Sequence, residues 1–225
     1  MSKEPITYQQ QAYDCVREQI INLELKPGEY ITDNQIADEL GISRTPVREA
    51  FQRLEKEGLL VTEARKGWRV YSLTLEDIYE IFELKIAIEG MGVRKAAECK
   101  DEGLRKELAE AIEYMKKAAE ANNREEWLEA DVHLHNTLYL MADNVRAERI
   151  IANLNDQWHR LRLGYDAMQG RTTKSIKEHE AFVTSVLEGD ADAAEQHIRI
   201  HLARVRDDLI HLVTKVLLPY MGRGF

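Results

Sequence analysis

DNQIADELGISRTPVREAFQRLEKEGLLVTEARKGWRVYS, residues 33–72, decides how this chain folds. Residues 34–40 set Ile36, Ala37 and Leu40 on one face of a short helix. Gly41 ends it, as a residue that tolerates positive φ should. Ser43 is a favourable N-cap for a second helix, and Pro46 is tolerated in its first turn. Val47, Ala50, Phe51 and Leu54 form the buried stripe of that second helix, and Arg44, Thr45 and Arg48 fall off the stripe at its exposed N-terminal end. Gly58 stops it. Residues 59–63 and 68–72 then read as two strands about the tight turn Ala64-Arg65-Lys66-Gly67.

Two short helices about a glycine turn, followed by a strand hairpin, make a winged helix-turn-helix. In such a unit the start of the second helix meets base edges in the major groove. Arg44, Thr45 and Arg48 are therefore the expected readers, and the basic hairpin tip is placed to lie on a phosphate or in a minor groove. Charge separates this reading from an ordinary helical hairpin with surface arginines. Within 43–69 stand Arg44, Arg48, Arg53, Lys56, Arg65, Lys66 and Arg69 against Glu49, Glu55, Glu57 and Glu63, whereas the whole chain carries −9. A positive island on an acidic protein is the footprint of a DNA reader with a separate acidic domain.

These residues resemble the GntR superfamily of bacterial transcription regulators. The helix over residues 8–23, the turn Leu25-Lys26-Pro27-Gly28-Glu29 and the run SRTPVREAFQRLEKEGLL all follow that pattern. The resemblance implies that Ser43, Arg44, Thr45 and Arg48 sit at the operator, with Lys66 and Gly67 at the wing. Where many relatives carry Arg early in the preceding helix, this chain has Gln35, which implies a weaker or neutral contact there.

The 225 residues are too many for one winged-helix domain and suit two modest ones. The expected boundary lies at Ser72-Leu73-Thr74, giving a DNA-binding domain over 1–72 and an all-helical domain over 73–225; Thr74-Leu75-Glu76-Asp77 resembles a capping box. Two cysteines, Cys15 and Cys99, stand far apart. With no secretory leader and no long apolar run, the chain reads as a reduced, cytoplasmic protein without a membrane partner.

After Thr74, proline is absent until Pro219, and Ala, Leu, Glu, Lys and Arg dominate. Helices are expected near 74–98, 101–121, 124–142, 145–167, 172–188 and 190–217, divided by Asp101, Asn122-Asn123, Asp143-Asn144, Gly170 and Gly189-Asp190. The fold class is thus mainly α, a winged helix-turn-helix plus an antiparallel six-helix bundle. Short connections lead one to expect sequential helices as neighbours.

The bundle's apolar stripes contain residues foreign to a plain core. Asp131 and His135, four apart, share a face with Leu128, Leu138 and Ala142. His179 shares one with Ile176, Val183 and Val186, and His201 with Ala194, Ile198, Val205 and Leu209. One carboxylate and three imidazoles from three helices therefore point inward. An unpaired buried carboxylate is costly, and a divalent metal held by all four resolves the cost with its normal nitrogen and oxygen ligands. Zinc is the first expectation, with nickel or manganese as alternatives. The competing reading is a set of hydrogen-bonded core histidines. His133 and His197 lie off the stripes; His159 and His211 read as surface or hydrogen-bonding residues.

Residues 74–217 also resemble the ligand-binding FCD domain of the FadR-like branch, through Asp131-Val132-His133-Leu134-His135, Lys177-Glu178-His179 and the tail from Leu187-Glu188-Gly189-Asp190 to His201-Leu202. In its metal-binding members the Asp and three His at these places hold a divalent ion. Lys85 lines up with Ile78, Ile81 and Ile88, where relatives usually carry Arg. Beside a metal it would suit an anionic effector, as a point charge without Arg's planar fork; the alternatives are pairing with Glu89 or snorkelling outward. Arg160 and Arg162 read as a solvated face, with effector contact the alternative.

Together these features describe a metabolite-responsive regulator expected to act as a repressor. It would be a homodimer on a palindromic double-stranded operator and would answer a small organic acid. The alternatives are a metal-dependent hydrolase, disfavoured because no HExxH occurs and no independent general base is evident, and a regulator whose metal is purely structural.

Overall fold

The structure, a computed structural model, describes the backbone of residues 6–165 and 171–217 and the side chains of 6–160 and 174–214. It divides into two compact units. One comprises the chain up to Thr74 together with Asn155–Leu161; the other comprises Leu75–Leu154 and the chain from Arg162 onward.

In the first unit the elements run α1 (Tyr8–Ile21), β1 (Tyr30–Ile31), α2 (Asp33–Leu40), α3 (Arg44–Lys56), β2 (Leu60–Glu63) and β3 (Gly67–Val70). Each begins where local chemistry allows. Thr7 caps α1 by accepting the Gln10 amide. Thr32 and Gln35 close a capping box on α2, satisfying donors that the first turn leaves unpaired. Gly41 ends α2 at φ 67°, a conformation that costs a residue without Cβ little. Val16 and Ile20 of α1, Val47, Phe51 and Leu54 of α3, Leu59 just before the sheet, and Leu60 and Val70 within it bury themselves in one core. Each such side chain contributes about 1.5–3 kcal/mol.

The sheet is antiparallel in the order β1-β3-β2, with Arg69 opposite both Tyr30 and Val61. The wing turns tightly because Arg65 and Gly67 take φ of 67° and 94°. Strand β1 was not foreseen, since two residues carry no readable alternation.

The segment Asn155–Leu161 joins this unit through three polar links. Arg17 grips Asp156 with two donors, Nε lying 2.6 Å from Oδ2. Gln157 donates to the Glu57 carbonyl at 3.2 Å, and Arg160 donates to the Tyr71 carbonyl.

The remaining elements are α4 (Leu75–Ala97), α5 (Glu102–Glu120), α6 (Arg124–Ala142), α7 (Val145–Tyr165), α8 (Arg171–Glu188) and α9 (Ala191–His211), with a short π-helical segment at Leu212–Leu217; all belong to the second unit except the Asn155–Leu161 stretch of α7. Asp101, Asn123 and Asp190 cap α5, α6 and α9 by accepting backbone amides. Chain neighbours are not always packing neighbours here: α4 packs chiefly on α9 and also on α6 and α8, while α5 packs on α6 and α8. The cause is that α4 presents one broad apolar face, burying Ile78, Ile81, Phe82, Val93, Ala96 and Ala97. At Gly90 an added Cβ would stand 3.0 Å from Arg199 Nε, the head of a flexible side chain that would have to shift slightly. Among the described residues no helix is long and apolar enough to cross a membrane.

Candidate metal centre and nucleic-acid interface

Helix α6 carries Asp131 and His135 one turn apart, α8 carries His179, and α9 carries His201. His135, His179 and His201 each offer a ligand atom, and the three atoms lie within 4.8 Å of one another. Asp131 stands outside that triad but touches it, with Oδ1 2.9 Å from His179 Nε2. His179 and His201 are buried, as is Asp131. Phe182 forms an apolar wall, its ring centroid 5.0, 5.8 and 6.0 Å from those of His179, His201 and His135.

The outward nitrogens are already engaged. His179 Nδ1 lies 2.7 Å from the Ser175 carbonyl, and His201 Nδ1 lies 2.8 Å from Glu178 Oε2. His135 Nδ1 lies 3.4 Å from Glu89 Oε2. These partners only accept, so in the neutral ring each Nδ1 carries the hydrogen and each Nε2 is left as a lone pair. Such outer contacts fix the tautomer and raise ligand basicity. Arg204 holds Glu178 in turn, at 2.9 Å.

One atom tests whether a cation fits. His179 Nε2 is buried without a hydrogen-bond partner, although a carboxylate oxygen faces it at 2.9 Å. Two acceptors in contact repel unless something positive lies at them, and burial magnifies the cost. Three inward imidazole nitrogens plus a carboxylate are the donor set a divalent ion takes. The residues fit. Burial pushes His201 down to about 4 despite Glu178, which favours the neutral form a metal requires.

Lys85 does not stand free at this site. Its Nζ lies 2.7 Å from Glu89 Oε1, both side chains being buried. Burial opposes ionisation of Glu89, but Lys85 and His135 outweigh it and bring the carboxyl to about 2. Of the two alternatives to an effector contact, pairing with Glu89 and snorkelling outward, the geometry is that of pairing. The solvated face expected of Arg160 is corrected: that side chain is only 5% exposed, because it reaches the Tyr71 carbonyl, and burial lowers its pKa to about 10. The Arg162 side chain lies outside the described residues, as does Gly170. His133 is 3.5 Å from Glu107 on the surface, and His197 meets Ser185 Oγ at 3.1 Å. The carboxylates behind the histidines, Glu89 and Glu178, were not singled out from sequence as site residues. Their signal was spacing: Glu89 stands four beyond Lys85, and Glu178 adjoins His179.

At the reading helix, Ser43, Arg44, Thr45 and Arg48 are all exposed. Ser43 occupies the N-cap of α3 without a side-chain cap bond, so its hydroxyl is not spent on the helix. Gln35 is used structurally, its Oε1 accepting the Thr32 amide at 2.8 Å. At the wing, Lys66 donates to Tyr30 Oη at 3.1 Å and lies 3.5 Å from Glu63. Gly67 supplies the turn. Arg65, exposed at the same tip, makes no hydrogen bond or ion pair among the described residues. Asp33, which sequence reasoning passed over, accepts from both Arg44 and Arg48.

A winged helix-turn-helix followed by a helical unit with buried ligand-type side chains defines a one-component DNA-binding regulator. Residues 8–70 match the gntR family of bacterial regulatory proteins, and residues 80–204 match the FCD domain. The chain is 30% identical to the HTH-type transcriptional regulator YdhC of Bacillus subtilis (strain 168) over 210 residues, covering 93% of this chain and 94% of that one. It is 29% identical over 203 residues to a probable D-xylose utilization operon transcriptional repressor of Paenarthrobacter nicotinovorans, covering 88% and 86%. Its fold is similar to that of E. coli McbR/YncC, with a TM-score of 0.75 at 20% identity over 91% of this chain and 98% of that one. The chain belongs to the GntR family and carries an FCD domain. It is a transcription regulator that binds DNA, and its family consists of regulators, not enzymes.

Proposed function

We propose that the protein is a metabolite-responsive repressor whose helical unit binds a divalent metal through Asp131, His135, His179 and His201 and, at that metal, a small organic acid. The observation that carries this reading is the buried lone pair of His179 Nε2 against the Asp131 carboxylate. Three nitrogens and one oxygen from protein leave room in the ion's coordination shell, and the ion would there supply an electrophilic position for an effector carboxylate. Zinc suits this donor set best. Repression is supported by the relative named for the D-xylose operon.

On the DNA side, Ser43, Arg44, Thr45 and Arg48 read a half-site in the major groove while the wing tip holds phosphate. A homodimer places two such helices on a palindromic site. The effector works by binding one arrangement of the dimer better than another, because a ligand without that difference shifts nothing. Helix α4, which follows the reading unit directly, is the element expected to carry the change.

The test is a thermal-shift and operator-release screen with a panel of small carboxylates, run on chelated protein before and after zinc is returned. The expected result is stabilisation and operator release by one class of acid only when zinc is present. Stabilisation by zinc with no acid changing operator affinity would leave a purely structural metal. Absence of zinc binding would end the reading.

A further inference from the structure

The strongest unassigned contact in the reading unit joins α2 to α3. Asp33 is the first residue of α2, its side chain only 12% exposed while those of Arg44 and Arg48 are 51% and 59% exposed. Its carboxylate accepts from Arg44 Nη2 at 3.1 and 3.3 Å, from Arg44 Nε at 3.3 Å, and from Arg48 Nε. The capping box formed by Thr32 and Gln35 fixes the turn from which Asp33 projects. Burial raises the Asp33 carboxyl, but the hydrogen bonds from Arg48 and Arg44 outweigh it and hold it below the ordinary carboxylate range. The group is thus held as an anion at neutral pH.

Arg44 and Arg48 stand one turn apart on a single helix face, where like charges repel. A carboxylate between them removes that repulsion and reduces the patch from two positive charges to one. It also sorts the donors. Arg48 gives Nε to Asp33, and its Nη1 and Nη2 have no partner among the described residues. That outer edge can meet guanine O6 and N7 while the inner edge remains held. A loose arginine would instead follow any phosphate.

We infer that Asp33 is a specificity-determining residue, an internal counter-anion that buttresses Arg44 and Arg48 for base contact and withholds them from DNA of arbitrary sequence. This rests on the proposal that α3 reads the operator. A helix N-terminus also favours an acidic residue for its own stability, so the test must read more than folding.

The full-length protein would be used with two duplexes: a 30-base-pair site enriched by the wild type from a random pool, and a mixed-sequence duplex of the same length. Asp33→Asn keeps the size and shape and removes the charge. Asp38→Asn removes a charge from an exposed position of the same helix. The expected result for Asp33→Asn is tighter binding to the mixed duplex, a log–log salt slope steeper by about one, weaker binding to the selected site, and a selectivity ratio at least about tenfold lower. Asp38→Asn should leave the ratio unchanged, and Asp33→Glu should restore most of it.

An unchanged ratio and slope in folded Asp33→Asn overturns the inference, as does an equal effect from Asp38→Asn. Should Asp33→Asn fail to fold, Arg48→Lys decides, because lysine's three donors share one nitrogen and cannot hold Asp33 and a guanine from separate edges; wild-type selectivity in that variant overturns it. Arg44→Ala separates the two levels. If Arg44→Ala binds the selected site as wild type does, the reading of α3 fails along with the inference. If Arg44→Ala loses preference and Asp33→Asn does not, only the inference fails.

Discussion

His179 presents a lone-pair Nε2 to Asp131 Oδ1 at 2.9 Å, because its Nδ1 hydrogen is committed to the Ser175 carbonyl. Two acceptors thus meet inside the helical unit. The arrangement destabilises the metal-free protein and prepares it for a cation. Asp131→Asn should therefore act in opposite directions on two measurements. In chelated protein the amide donates to His179 Nε2, a gain of about 1 kcal/mol and a melting temperature higher by about 2–4 °C. Zinc affinity, read by competition with a chromophoric chelator, should fall at least about tenfold. A metal-free Asn variant that melts below wild type would remove the acceptor–acceptor account.

His201 gives the pH dependence of the metal-free protein. Its native pKa lies at about 4, chiefly through burial, against about 6.5 in an unfolded chain. The unfolded state therefore binds the proton first as pH falls. Stability is fully present above about 6.5 and is lost progressively toward 4. Urea unfolding of chelated protein at pH 7.5 and pH 5 should show the loss, and His201→Gln should reduce the difference between the two pH values. An equal loss in wild type and variant would assign the effect to other groups.

Lys85 and Glu89 form a buried pair at 2.7 Å. Removing one partner strands the other, a defect of about 3–5 kcal/mol, whereas replacing both is often close to neutral. Lys85→Met should consequently melt far below wild type, and Lys85→Met with Glu89→Gln should recover most of the loss. A double variant no better than the single one would show that the pair contributes little.

The reading unit was legible because its signals are local: a glycine at positive φ, an N-cap serine and a four-residue stripe each act within one turn of chain. The convergence of His135, His179 and His201 was legible from helical spacing alone, because a polar residue on an apolar stripe must point inward. What lay beyond reach was set by distant partners. Lys85 could be placed on an inward face, but whether it met Glu89 or an open site depends on side-chain choice. Arg160 read as solvated because its acceptor, the Tyr71 carbonyl, is a backbone atom 89 positions away. Asp33 was passed over because its partners, Arg44 and Arg48, stand 11 and 15 positions away on another helix.

The wing distinguishes two kinds of DNA contact. Lys66 is drawn back onto Tyr30 and Glu63, at 3.1 and 3.5 Å, and must surrender those partners to reach a phosphate. Arg65, exposed at the same tip, has none to surrender among the described residues. Arg65→Ala should therefore weaken binding to every duplex about equally and make the salt slope shallower by about one, with Lys66→Ala smaller in both respects. Arg44→Ala should do the reverse, costing about 1–3 kcal/mol at one base pair while leaving the melting curve unchanged. Fluorescence anisotropy on selected and mixed-sequence duplexes across a salt series measures both. If Lys66→Ala flattened the slope more than Arg65→Ala, the tie to Tyr30 would be of no consequence in solution, and the lysine would be the wing's phosphate contact.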